Sequence, residues 1–249
     1  MTRTRTIALA LLGVGALAVG GYIAYDQVLR GDSVAALALP TETSTPPAAS
    51  APAASQDAAS AAPGTETGVA GEWQVGSDSV AGYRVREQLA NLPAESDAVG
   101  RTSDVTGSIT VEAAGDGARL TAGTLNVDTT TITSDESRRD NRLRTEGLQT
   151  DQFPTATFVV TQPVDVPAAA LAGTATDITL VGDLTLHGVT KAVEIPAQAQ
   201  LTDGRIQVAG SVTFPLADFD ITAPNVGGFI LSIADEGALE FLVAFEKAA

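Results

Sequence analysis

Beyond residue 72 the chain alternates apolar and polar residues with a period of two, and this constrains its fold more than any other feature. In "VTGSITVEA", Val105, Gly107, Ile109 and Val111 share one face, opposite Thr106, Ser108, Thr110 and Glu112. In "RIQVAGSVTFP", Ile206, Val208, Val212 and Phe214 do the same, and in "ALEFLVAFEK" Leu239, Phe241, Val243 and Phe245. Such alternation marks strands with one buried and one wet face. Similar runs lie in "SVAGYRVREQ", "ARLTAGTLNVDT", "TATFVVTQ", "ITLVGDLTLH" and "KAVEIPAQAQL". About eight one-sided strands, with no βαβ alternation, predict an all-β domain over residues 72–249: an antiparallel barrel around one interior, or a two-sheet sandwich with the same period.

The parity of the apolar face changes at two glycines. Leu120 and Ala122 give way to Leu125 and Val127 across Gly123; Val80 gives way to Tyr83 and Val85 across Gly82. A bulge or bend at each would return these residues to one face. The expected inward set is then Tyr83, Val85, Ile109, Leu125, Val127, Phe158, Val160, Leu184, Leu186, Val193, Ile195, Val208, Phe214, Phe241, Val243 and Phe245. A barrel of this size either fills itself with side chains or holds one small ligand. An apolar tube suits an elongated lipid, since each buried methylene adds about 0.8 kcal/mol.

One stretch, "TITSDESRRDNRLRTEGLQTDQFP", breaks the alternation. Thr133 and Glu136 have capping-box spacing, Ser134 is a rival cap, and Gly147 and Pro154 can end the turn. A short polar helix over residues 135–146 is expected, lying across one end of the domain. Arg138, Arg139, Arg142 and Arg144 cluster on it. They read either as an anion site or as a solvated face, because Asp135 and Asp140 precede Arg139 and Arg144 by four residues.

The chain opens with Arg3 and Arg5, followed by an uncharged, mostly apolar run over residues 7–25. Nineteen helical residues rise roughly 28 Å, close to the ~30 Å bilayer core. Residues 1–30 thus read as a cytoplasmic tip and transmembrane anchor that places the domain outside the cell. The alternative is a secretory signal cleaved near "ALA" (36–38), but the apolar run is long for one. Residues 31–71 are rich in Ala, Pro, Ser and Thr and read as a disordered linker. Counted as a coil from Asp26, about 45 residues span roughly 35–40 Å.

The net charge of −16 argues against a nucleic-acid partner, and the absence of cysteine excludes disulfides, thiolate catalysis and cysteine-bound metal. His187, the single histidine, sits in "HGVT", which reads as a hairpin turn with the ring toward solvent. It has no evident catalytic partner or co-ligand, so no catalytic residue, metal or cofactor is assigned. No feature specifies an oligomer.

Taken together, "VTGSITV", "SDESRRDNRLR", "QFPTATF", "GDLTLHGVTKAVEIP" and "VAGSVTFPLADFDI" resemble the YceI-like family. The resemblance implies a lipocalin-like extracytoplasmic barrel, without catalysis, that holds a long-chain isoprenoid, quinone or similar amphiphile. The apolar residues would grip the tail, with Arg138, Arg139 or Arg142 at the polar head. This chain departs from the family pattern near the expected ligand entrance. Arg142 replaces a common histidine, and Leu148, Gln149 and Thr150 replace the usual Phe-Phe-Asp. A structural or adhesion barrel, or a hydrolase using carboxylates, are the competing functions.

Overall fold

The computed structural model describes residues 34–40, 68–89, 95–223 and 230–248, with the side chains of residues 89, 230 and 231 left aside. The expected anchor lies outside the described residues, as does most of the expected linker. Among the described residues no helix is long and apolar enough to cross a membrane.

The described residues form eleven antiparallel strands that make eight staves of one closed barrel. β1 (Gly71–Val75) and β2 (Val80–Leu89) run on as one bent stave, and β3 (Ser96–Thr102) and β4 (Val105–Ala114) as the next. β1 pairs with β4 and β2 with β3, which joins those two staves along their length. β5 (Gly117–Asp128) follows. It pairs with β6 (Thr155–Val160) near one end and with β7 (Val164–Val166) near the other. Then come β8 (Thr176–Leu186), β9 (Val189–Thr202), β10 (Arg205–Pro215) and β11 (Ile230–Lys247). β11 pairs with β10 on one side and with both β2 and β1 on the other. That last pairing closes the ring and decides for a barrel over a sandwich.

The bulge expected at Gly123 lies two residues earlier. The β4–β5 register passes from Thr110 opposite Ala122 to Val111 opposite Leu120, so Thr121 is the extra residue. It carries Leu120, Gly123, Leu125 and Val127 to the cavity and leaves Ala122 exposed. No bulge occurs at Gly82. The β2–β3 register runs through it unbroken, and the irregularities on this stave fall in β11, between Ile230 and Ser232 and between Ile233 and Gly237. Glycine is needed at 82 for another reason. A Cβ there would lie 2.1 Å from the Gly100 carbonyl oxygen and 2.9 Å from Cγ of Arg101, which crosses over it.

The helix is shorter than expected, Ser137–Arg142, and continues into one wide π-helical turn, Leu143–Gly147. Glu136 caps it, accepting from the Arg138 backbone N–H. Thr133 is instead committed to a bridge with Arg101. Ser134 donates from both its backbone N–H (2.9 Å) and its hydroxyl (2.6 Å) to the buried Asp140 carboxylate. Leu143 and Leu148 pack into a cluster with Ile132, Phe214 and Phe219, so this segment does close one end of the barrel.

β8 and β9 are joined by a two-residue turn in which His187 (φ 51°) and Gly188 (φ 78°) are both left-handed, as a type I′ hairpin requires. The ring of His187 does not point to solvent as expected. It meets Phe153 edge to face at 4.6 Å, and its Nδ1–H donates to the Phe219 carbonyl oxygen at 3.1 Å. Its Nε2 is buried without a partner. A side chain at 188 would collide with the same Phe153 ring. Two pieces of the expected linker are also ordered. Residues 34–40 bury Leu39, and residues 68–70 bury Val69, whose carbonyl accepts from Trp73 Nε1 at 2.8 Å.

Candidate ligand cavity

Alternation sends every second side chain inward, and in a closed barrel those side chains meet at the axis. Here many are too small to meet. Ala81, Ala118, Ala156, Ala199 and Gly123 line an internal cavity together with longer Leu, Ile, Val and Phe side chains. Its volume is about 150 Å³, where one water needs only about 10–15 Å³. The lining runs from Val69, Ala170 and Leu171 to Thr129, Ile132 and Leu186, and draws on both hydrophobic clusters.

Four of the five polar residues in the lining have side-chain bonds within the wall. Thr157 donates to Asn126 (2.9 Å), Gln200 to Gln207 (2.7 Å), and Thr129 to the Phe153 carbonyl oxygen (3.1 Å). Glu240, 3% exposed, accepts from Arg101 Nη2 at 2.7 Å and Nε at 3.1 Å, and from Arg84 Nη2 at 3.4 Å. The surface left to a guest is hydrocarbon.

Ile109, Leu125, Val127, Phe158, Val160, Leu184, Leu186, Ile195, Val208, Phe241, Val243 and Phe245 line this cavity. Tyr83, Val85, Val193 and Phe214 do not. Tyr83 and Phe214 belong to the packed end, where Phe214 meets Phe219 edge to face at 4.9 Å. Val193 is wedged between the two clusters. Val85 lies opposite Gly237, beside the irregular part of β11. With no bulge at Gly82, Tyr83 and Val85 keep the inward parity of the cavity-lining Ala81 but sit toward the packed end, and it is Val80 that falls on the other face. Sequence reasoning missed Val69, Ile132, Ala170 and Leu171, which lie outside the strands. It also missed Ala118, which shares a face with Leu120, Leu125 and Val127 once Thr121 is bulged.

The helix arginines are not brought to the cavity. Arg139 Nη2 donates to the buried Glu87 carboxylate at 2.7 Å, and its Nη1 pairs with Asp135. Burial acts to lower the Arg139 pKa, but Glu87 and Asp135 outweigh it and leave the pKa raised. Arg138 is exposed and Arg142 half-buried. Tyr83 lies within the field of Arg139; its hydroxyl is buried without a partner, and burial pushes its pKa up to about 12.

The fold has counterparts among known proteins. A polyisoprenoid binding domain from Saccharophagus degradans, implicated in plant cell wall breakdown, superimposes with a TM-score of 0.54 at 20% identity, covering 71% of this chain and 98% of that one. Burkholderia cenocepacia BcnA superimposes with a TM-score of 0.50 at 17% identity, covering 67% and 95%. A UPF0312 protein of Shewanella sp. (strain W3-18-1) is 35% identical over 133 residues, 49% of this chain and 63% of the relative. One from Vibrio parahaemolyticus is 33% identical over 111 residues, 42% and 55%. The matched stretch thus spans less than two-thirds of either curated relative. The family model described as YceI-like domain matches residues 75–245, the larger part of the chain. The chain belongs to the YceI-like family.

Proposed function

We propose that this chain is a membrane-tethered, extracytoplasmic lipid-binding protein that holds a long-chain isoprenoid, quinone or similar amphiphile without catalysis. The observation that carries the reading is the cavity: elongated, apolar, and walled by side chains most of whose polar groups are already bonded within the wall. Each methylene moved from water into such a wall contributes about 0.8 kcal/mol, so affinity grows with chain length. The likeness to a polyisoprenoid binding domain supports the same ligand class. The uncharged apolar run over residues 7–25, long enough to span a bilayer as a helix, supports the tether. His187 spends one ring nitrogen on the Phe219 carbonyl and packs its ring on Phe153, the work of a turn residue.

The test is native mass spectrometry of the full chain purified from its own host in mild detergent. A stoichiometric lipid adduct is expected, with isoprenoid identified on extraction. Ala199 lines the cavity and is 3% exposed. Ala199→Leu fills the space at that point and should reduce the adduct at least several-fold. A clean apo mass with no uptake of added isoprenoid would overturn the proposal.

A further inference from the structure

Although it borders the cavity, Glu240 lies on β11 in the outward row, in register with Ser211 on β10 and, across Gly82, with Arg101 on β3. Ser211 is exposed, as an outward residue should be, yet Glu240 is 3% exposed. Val99, one alternation along β3 from Arg101 on the same outer face, is 7% exposed. Something covers this part of the wall.

Residues 34–40 lie there. The Val34 carbonyl oxygen accepts from Arg84 Nη2 at 2.8 Å, and the Ala35 carbonyl oxygen accepts from Arg101 Nη2. The same two guanidinium groups hold Glu240, and Arg84 Nη1 also pairs with Asp97 at 3.0 Å. A buried carboxylate between two arginines leaves spare N–H donors, and two consecutive backbone carbonyls take them. Leu39, four residues on, is 6% exposed. An Ala/Pro/Ser/Thr-rich sequence does not bury a leucine by itself; the barrel supplies the other surface.

We propose that residues 34–40 form a strap docked in cis on the outer wall of β2, β3 and β11. Its receptor is the Arg84–Arg101–Glu240 cluster, and its apolar foot is Leu39. Gly82 is part of the receptor, because only a residue without a Cβ lets Arg101 cross β2 to reach Glu240. Residues 41–67 then join two fixed points on one barrel and add no reach between barrel and anchor. With the proposed anchor ending near residue 25, only residues 26–33 are left to bridge anchor and barrel, at most roughly 26–29 Å of chain. This consequence rests on the anchor proposed above; the docking itself does not.

The absence of native cysteine allows clean spin labelling of the full chain. Labels at Ala36→Cys and Ser211→Cys, both exposed positions, should give one narrow, short distance distribution by pulsed electron paramagnetic resonance. Leu39→Asp in the same labelled pair should broaden it to the spread of an untethered coil, roughly 30 Å for the 27 residues of the loop. Leu39 is outside the barrel strands, so the substitution leaves the barrel intact to report. A broad distribution without the substitution, or a narrow one that Leu39→Asp leaves unchanged, would overturn the strap. Vesicle flotation of the same protein reads the anchor separately.

Discussion

The two ends of the barrel interior follow one alternating pattern and reach opposite outcomes. At the end closed by the helix segment, Phe219 is 1% exposed and locked edge to face against Phe214, with Leu148 and Ile132 around them. Toward the other end, Ala81, Ala118, Ala199 and Gly123 occupy inward positions and leave the axis open. The pattern decides which side chains point inward; their size decides whether they meet.

This contrast can be broken by experiment. Phe219→Ala should be the most damaging change, about 3–5 kcal/mol by urea unfolding, because the packed end cannot relax into the hole. A loss below about 1.5 kcal/mol would show that end to be loose.

Tyr83 gauges how dry the packed end is. Its pKa in the folded chain is raised from 10.0 to about 12, so the folded state favours the neutral phenol. Its contribution is fully present below pH 10 and is lost as pH rises toward 12, on the order of 2–3 kcal/mol. Unfolding curves at pH 9 and pH 12, compared between the native chain and Tyr83→Phe, should differ by that amount. At neutral pH Tyr83→Phe should be near neutral, since the buried hydroxyl has no partner to lose.

Phe241 lines the open part. Phe241→Ala should lose mainly the transfer term, about 1.5–3 kcal/mol, and less than Phe219→Ala measured alongside. Equal losses would mean the cavity is as tightly coupled as the packed end. The smallest effect is expected for Ala199→Leu, within about 1.5 kcal/mol of the native chain in stability, although it should displace the guest.

Strand identity was legible because each strand has one apolar face, and a closed ring of such strands is the economical way to bury it. The turn at His187–Gly188 was legible as a hairpin, but the ring's direction was not. Phe153 and the Phe219 carbonyl reach it from distant parts of the chain. The cavity's two ends, Val69, Ala170 and Leu171 at one and Ile132 at the other, carry no periodicity, since only tertiary closure buries them. The arginines were the least legible. Four on one helix invited a ligand, yet Arg139 answers Glu87, 52 residues away. Arg84 and Arg101 stood out in no motif, because their partner Glu240 lies 156 and 139 residues further on.

β11 pairs with β10, β2 and β1, so one strand near the end of the chain joins the last stave to the first. The ring cannot shut until Lys247 has been made. Until then the first stave and β10 each keep one edge unpaired and the oily side of every stave stays uncovered, and contacts so far apart in sequence form slowly. For this molecule, the interval between the synthesis of β1 and the arrival of β11 is when it is most exposed to sticking to its neighbours.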